Sequence, residues 1–519
     1  MLSAGAKCFC RPFRNRFRYS LSSLAGSTKA LSATEDTKPS NVPLGPHSEP
    51  SEIAAQNEYL RGVLISLGLT AHLGPNYKPD PLLRQQLTVD NQKEVLEATM
   101  TPLVRMPYED QLRFKYLRNR NLVRNISKTL AKRIPDVYLD PDGLICPVDP
   151  IIPSPVTENF RNKDELSIGR SVDGQPKQLG YYVGRSNENN AVSIFPDTLI
   201  NMKDSHRLVA EKFQEYMRIS QYDGIEITSA GAFGHWKSVI IRSNIAGELM
   251  AIAIMHPQSL SQDELNAEKL RLKEFFVNGP GSVCRLKSLY FQACPHHICS
   301  PLQARYELLF GKDNLMEQCG NYKFRVSPNS FFQLNTQAAE VLYKKIGEFL
   351  KPNRESILLD VCCGTGTIGL FLASKFDKVI GVERELLAVG DANFNADLNG
   401  IINATFYCGN ATKLIPRILK DKSNTYSSVS AVVNPGRAGL PVEVINALRN
   451  SPEVDRVVYV SCKPIANAMR NMIDLCLPPS KNLIGEPFYP VRAVPVDLFP
   501  HTDHCELVIL YERNRLYFI

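Results

Sequence analysis

The chain has 519 residues, 44% of them hydrophobic, and a formal net charge of +7. That length exceeds one ordinary hydrophobic core and points to two or three domains. No run approaches the roughly 18 uninterrupted apolar residues of a membrane-spanning helix, so no membrane span is expected.

In chain order, the first segment differs from everything after it. Residues 1–34 hold no Asp or Glu, while Lys7, Arg11, Arg14, Arg16, Arg18 and Lys29 are basic and Ser recurs. This is the composition of a mitochondrial transit peptide, without the apolar centre of a secretory signal, and it predicts import into the matrix with removal near residue 34. The alternative is a basic arm that holds RNA electrostatically. The leader carries six of the seven net charges, so a cut chain is nearly neutral and must bind any nucleic acid through local patches.

Pro- and Ser-rich residues 35–51 read as a linker. Residues 52–137 read as helical and include an acid-free basic segment with Arg113, Lys115, Arg118, Arg120, Arg124, Lys128, Lys132 and Arg133. Val123, Ile126 and Leu130 fall at helical spacing, so one face can pack while the other either meets RNA or is simply solvated. Residues 138–310 turn to short runs such as "SVIIRS" and "AIAIMH" broken by Gly, Asn and Pro, which predicts an α+β domain built on antiparallel sheet. Within it "CPHHIC" gathers Cys294, His296, His297 and Cys299 without a second paired half at finger spacing, so a turn with buried thiols is a better reading than zinc. The same holds for His501, His504 and Cys505 in "HTDHCE". The 13 cysteines, spread through a long chain without a secretory signal, are expected as thiols.

Residues 320–519 alternate apolar strands with helices, the pattern of an α/β fold with a parallel, doubly wound, Rossmann-like sheet. Ligands of such sheets bind at the carboxyl ends of the strands. The strand at 357–361 runs into "CCGTGTIG", where Gly364, Gly366 and Gly369 spell G-x-G-x-x-G. Alone, that pattern fits a dinucleotide equally well. Asp360 at the strand end, and Cys362 and Cys363 ahead of the glycines, lengthen the loop and favour S-adenosyl-L-methionine (SAM). Glu383, closing the next strand, can accept the ribose hydroxyls of either cofactor. The strand in "VVYVSCKP" delivers Cys462 to the same lip.

"SFFQLNT", "NPGRAGL", "SCKP" and "DLFPHTDHCE" follow one another in the order of one family. From about residue 101 onward the sequence resembles the RNA uridine-C5 methyltransferases, SAM-dependent enzymes that make 5-methyluridine in the tRNA T-loop or in ribosomal RNA. The resemblance implies that Cys462 is a nucleophile that adds to uracil C6, because C5 cannot take a methyl group until the ring becomes an enolate. It implies that Glu506 is the base that removes the C5 proton, so that the cysteine can leave. It also implies a SAM site built from Gln333, Cys362, Gly364, Gly366, Thr367, Glu383, Asn410 and Asn434. Two positions depart from the family pattern: Asn434 stands where D-P-P-R-x-G has its Asp, and Lys463 replaces the Asn of S-C-N-P. The implied partner is a tRNA or ribosomal RNA loop. Two rivals remain at this point. A cytosine-C5 methyltransferase would carry a second cysteine where this chain has "NPGR", and an RNA-binding or ribosome-assembly protein with little turnover would not need both Cys462 and Glu506.

Overall fold

The structure, a computed structural model, describes residues 87–184, 191–228, 231–296, 303–352, 354–421 and 428–513. The leader, the linker and the helical region before residue 87 lie outside the described residues, as do His297 and Cys299.

Seven strands between Lys163 and Gly311 form one sheet, in which Leu249–Met255 and Ser288–Ala293 are the one parallel pair among otherwise antiparallel neighbours. A parallel pair needs a crossover. Helix Gln262–Val277 supplies it, started by a capping box in which Ser261 and Glu264 satisfy each other's backbone N–H. Within the sheet, buried Asp164 of strand Lys163–Gly169 accepts from Arg161 (2.5 Å) and Tyr181 (2.6 Å) and faces His206 Nδ1 (2.6 Å). Cys294, expected as a thiol, is disulfide-bonded.

The second large sheet carries strands numbered here β1 (Ser356–Val361), β2 (Lys378–Glu383), β3 (Ala404–Cys408), β4 (Ser428–Val433), β5 (Val454–Ser461), β6 (Tyr489–Val496) and β7 (Glu506–Glu512). Their spatial order is β3-β2-β1-β4-β5-β7-β6. The pairs from β3 to β5 are parallel, as the alternating pattern predicts, but β7 enters between β5 and β6 antiparallel to both. All six residues of β1 are buried, as befits a strand covered on both faces.

The helices around this sheet are α1 (Tyr108–Ala131), α2 (Thr336–Leu350), α3 (Thr367–Leu372), α4 (Leu386–Leu398), α5 (Ala411–Lys420), α6 (Val442–Arg449) and α7 (Asn467–Asp474). Residues of α2, α3 and α4 share one apolar core with the sheet; residues of α1, α5, α6 and α7 share the other. In α1 the expected stripe of Val123, Ile126 and Leu130 is buried in that second core. The edge strand β6 is covered by residues 147–152, through Asp149 N to Ala493 O (2.8 Å) and Ile152 N to Pro495 O (2.9 Å). No helix among the described residues is long and apolar enough to cross a membrane.

The two sheets are tied by polar contacts at the segment leading into α2. Asn162 Nδ2 donates to the Gln333 carbonyl (2.7 Å) and to Thr336 Oγ1 (2.9 Å), and Arg242 donates to the Ser330 carbonyl.

Part of the basic face of α1 turns inward: Lys115 and Arg120 are buried. Arg113 pairs with Asp110, Lys115 with Asp497, Arg118 with Asp503 and Arg120 with Asp142. The Lys115–Asp497 pair (2.7 Å) is fully excluded from solvent on both sides. Removing one member of a buried pair leaves the other charge uncompensated, which costs about 3–5 kcal/mol. Lys115→Met is therefore expected to lower unfolding free energy by about that much in a denaturant titration, and a change below about 1 kcal/mol would show that Asp497 finds another partner.

Candidate active site

The β1–α3 turn is built from three consecutive demands on the backbone. Cys362, Gly364 and Gly366 all adopt positive φ (63°, 56° and 76°). At Gly366 a Cβ would lie 2.8 Å from the Phe406 ring, so the position excludes a side chain. At Gly364 a Cβ would meet nothing within 4 Å, which leaves that backbone open to a ligand. Gly369 N donates to Asp360 Oδ2 (2.9 Å), fixing the helix start to the strand end. Burial raises Asp360 to about 7, against the pull of that N–H, and its Oδ1 has no partner.

Glu383 sits half-buried at the end of β2, where Oε2 accepts from Gly364 N (3.1 Å) and Oε1 from Arg384 N (2.7 Å) and Glu385 N (3.0 Å). A carboxylate has about four acceptor sites, so one remains for a ribose hydroxyl. Thr367 begins α3 and accepts from Tyr343 OH (3.4 Å). Gln333 is buried and held through its carbonyl by Asn162. Asn410 is exposed, and its side-chain oxygen caps α5 by accepting from Thr412 N (3.0 Å), so it meets the other site residues only as the neighbour of the β2 end. Asn434 follows β4, its N–H directed at the Val361 carbonyl (3.4 Å). An open glycine turn, a carboxylate with one free acceptor site and a half-buried amide fit an adenosine-bearing ligand such as SAM.

The antiparallel sense of β7 explains how Glu506 reaches the same lip. In an all-parallel sheet the first residue of a strand lies at the wrong end. Here Ser461, the last residue of β5, pairs with Leu507, which sets Cys462 against Glu506. Glu506 is buried, with Oε2 unpartnered, and burial raises its carboxyl to about 8. Burial and the Glu506 charge raise the half-buried Cys462 thiol, while the Arg437 guanidinium within hydrogen-bond reach opposes them. Arg437, present in "NPGRAGL" but given no role from sequence, is the cation that faces the thiol. Lys463, the neighbour in sequence, is exposed and acts with Arg437 and Arg118 on His504, whose pKa is lowered first by burial.

His501, in contrast, is buried and engaged. Gln111 Oε1 accepts from His501 N (2.8 Å), and Gln111 Nε2 lies 3.1 Å from His501 Nδ1. Among the described residues, no group of three or more His, Cys, Asp and Glu side chains is arranged to hold a metal ion.

The opposed influences on Cys462 can be read from its alkylation by iodoacetamide, followed by peptide mass spectrometry across pH. Arg437→Ala is expected to move the reactivity midpoint to higher pH, and Glu506→Gln to lower pH. Equal midpoints in all three proteins would show that neither group faces the thiol.

The tRNA (Uracil-5-)-methyltransferase family model matches residues 304–514. The tRNA (uracil-5-)-methyltransferase homolog B of Danio rerio is 43% identical over 423 residues, covering 81% of this chain and 87% of the relative. Homolog A of Mus musculus is 38% identical, covering 84% and 72%. The crystal structure of Pyrococcus abyssi tRNA (uracil-54, C5)-methyltransferase in complex with S-adenosyl-L-homocysteine superposes with a TM-score of 0.53 at 22% identity, covering 78% of this chain and 82% of that one, and so shares the fold. With identity above 40% across most of a full-length relative, on a SAM-type sheet with its glycine turn intact, the chain belongs to the tRNA (uracil-5-)-methyltransferase family, a family of SAM-dependent enzymes.

Proposed function

We infer that the protein transfers a methyl group from SAM to C5 of a uridine in mitochondrial RNA, in the tRNA T-loop and/or in ribosomal RNA, through covalent addition of Cys462 to uracil C6. The observation that carries this reading is the opposition of Cys462 and Glu506 across β5 and β7, beside the glycine turn. The names of the relatives support the tRNA, and the acid-free leader supports the compartment.

Bound SAM supplies an electrophilic methyl group; the remaining steps belong to the chain. Gly364, Gly366 and Thr367 would cradle the cofactor at the turn, Glu383 its ribose, with Gln333, Cys362, Asn410 and Asn434 around it. Cys462 must give its proton to solvent before it can attack, and the Arg437 guanidinium lowers the cost of forming the thiolate. The sulfur forms a bond to C6, and the C5=C6 electron pair moves toward O4, which makes C5 nucleophilic. After C5 has bonded the methyl, it carries both that group and a proton. Glu506 in its ionised form takes the proton, C5=C6 re-forms and the C6–S bond breaks. Asn434 can donate to a carbonyl and accept from an imide N–H but cannot take a proton, which leaves Glu506 as the base.

The sign of the pH dependence follows. With a carboxyl near 8, Glu506 is mostly protonated below that pH and cannot accept the C5 proton, so single-turnover product release is expected to rise with pH through about 8. A rate that falls over that interval would exclude Glu506 as the base.

Two variants separate the roles. Cys462→Ala should abolish both methyl transfer and covalent capture of RNA. Glu506→Gln should add and methylate but stall at elimination, so that a denaturation-resistant protein–RNA band carrying labelled methyl accumulates. Normal release of methylated RNA by Glu506→Gln would reassign the base. Maps of 5-methyluridine in mitochondrial RNA with and without the protein test the substrate; loss at the tRNA T-loop is expected. A reporter fused to residues 1–34 is expected in the matrix, and a cytosolic reporter would remove the compartment from the proposal.

A further inference from the structure

The eight residues between Asp497 and Glu506 form the turn that delivers the base, and the contacts that shape this turn come from the distant first half of α1 and the residues just before it. Leu103 N donates to the His501 carbonyl (3.0 Å). Tyr108 OH donates to Asp497 Oδ2 (3.0 Å), and Lys115 Nζ donates to Asp497 Oδ1 (2.7 Å) and to the Phe499 carbonyl (2.9 Å). Arg118 Nη1 donates to both the Asp503 carbonyl (2.9 Å) and its carboxylate (2.7 Å). Between them, Gln111 holds His501 at the backbone and at the ring.

His501 has φ of 67°, a left-handed conformation in a residue with a Cβ. Such a conformation costs of order 1–3 kcal/mol and persists only where the surroundings over-determine it. Gln111 does this by chemistry that fixes its own amide. Its oxygen accepts from the His501 N–H, and its nitrogen donates to the Met106 carbonyl (2.9 Å), so the amide cannot be flipped. The same nitrogen faces His501 Nδ1 and can only donate, so Nδ1 is the acceptor and the ring proton rests on Nε2. Burial and the Lys115 charge both oppose a second proton on this ring. Nε2 is buried without a hydrogen-bond partner, and the Thr157 backbone only partly offsets the effect of burial on the ring. His501 is thereby a neutral hinge pin and not a second base.

We propose that Gln111 and Arg118 are positioning residues for Glu506: they set the left-handed step at His501 and the exit at Asp503, and so decide where the carboxyl stands relative to C5 of the cysteine-bound uracil. This rests on the reading of Glu506 as the base. Addition of Cys462 and methyl transfer do not use this turn, whereas proton removal does. Displacing a reacting group by about 1 Å costs up to about a hundredfold, so the defect falls on elimination alone.

The experiment is a single-turnover assay of the full chain with a tRNA transcript and methyl-labelled SAM, measuring labelled protein–RNA adduct against released methylated RNA. Gln111→Ala and Arg118→Ala are expected to raise the adduct fraction about tenfold or more with KM for RNA and SAM within about twofold of the parent, and Arg118→Lys to fall between. Gln111 is fully buried, so if its variant does not fold, half-exposed Arg118 carries the test. A fall in turnover with an unchanged adduct fraction overturns the proposal, as does a raised RNA KM without adduct, which would make Arg118 an RNA contact. Glu506→Gln run in parallel separates the two readings. If it accumulates adduct and the α1 variants do not, only the positioning role fails; if it does not, the base assignment fails and the positioning role with it.

Discussion

One buried ion pair governs the arrangement of the catalytic end of the molecule. Lys115 and Asp497 meet without solvent, and each is useless alone: a lone charge there would be costly, and together they weld α1 to the end of β6. Asp497 also accepts from Tyr108 and from Phe499 N, and Lys115 also donates to the Phe499 carbonyl, so the pair is the centre of a satisfied network. A helix that reads as a separate basic region in sequence is, in three dimensions, part of the catalytic unit.

The second organising fact is topological. Parallel strands from β3 to β5 bring the glycine turn, Glu383, Asn434 and Cys462 to one lip, because all these residues follow the ends of parallel strands. A residue at the start of a strand can join them only if its strand runs the other way. β7 does, and Glu506 is its first residue.

What was legible in sequence follows the same division. The strands β1 to β5 are short runs with apolar centres, bounded by turn residues and alternating with helices, so their position and parallel sense could be read from that alternation, and the glycine turn from its residues. Cys462 and Glu506 were legible as motif positions, but that they face each other was not, since an antiparallel return between β5 and β6 leaves no mark in the periodicity of β7. Composition records the charge of α1 but not its pairing: the carboxylate partners of Lys115 and Arg118, Asp497 and Asp503, lie some 380 residues away. Arg437 and Gln111 escaped for want of any local signal beyond their identity. The disulfide at Cys294 likewise ran against an argument from compartment, which speaks to a chain's average and not to one turn.

The polar seam between the two sheets has a consequence for how the enzyme meets its ligands. Asn162 and Arg242, on the antiparallel side, hold the backbone of residues 330–336, the stretch that includes Gln333. Swinging the sheets apart would break these bonds together and expose buried donors and acceptors, each costing about 1–3 kcal/mol if left unmade. A hinge between the sheets at this segment is thus disfavoured. The stretch that carries Gln333 is then set by folding, ahead of any ligand.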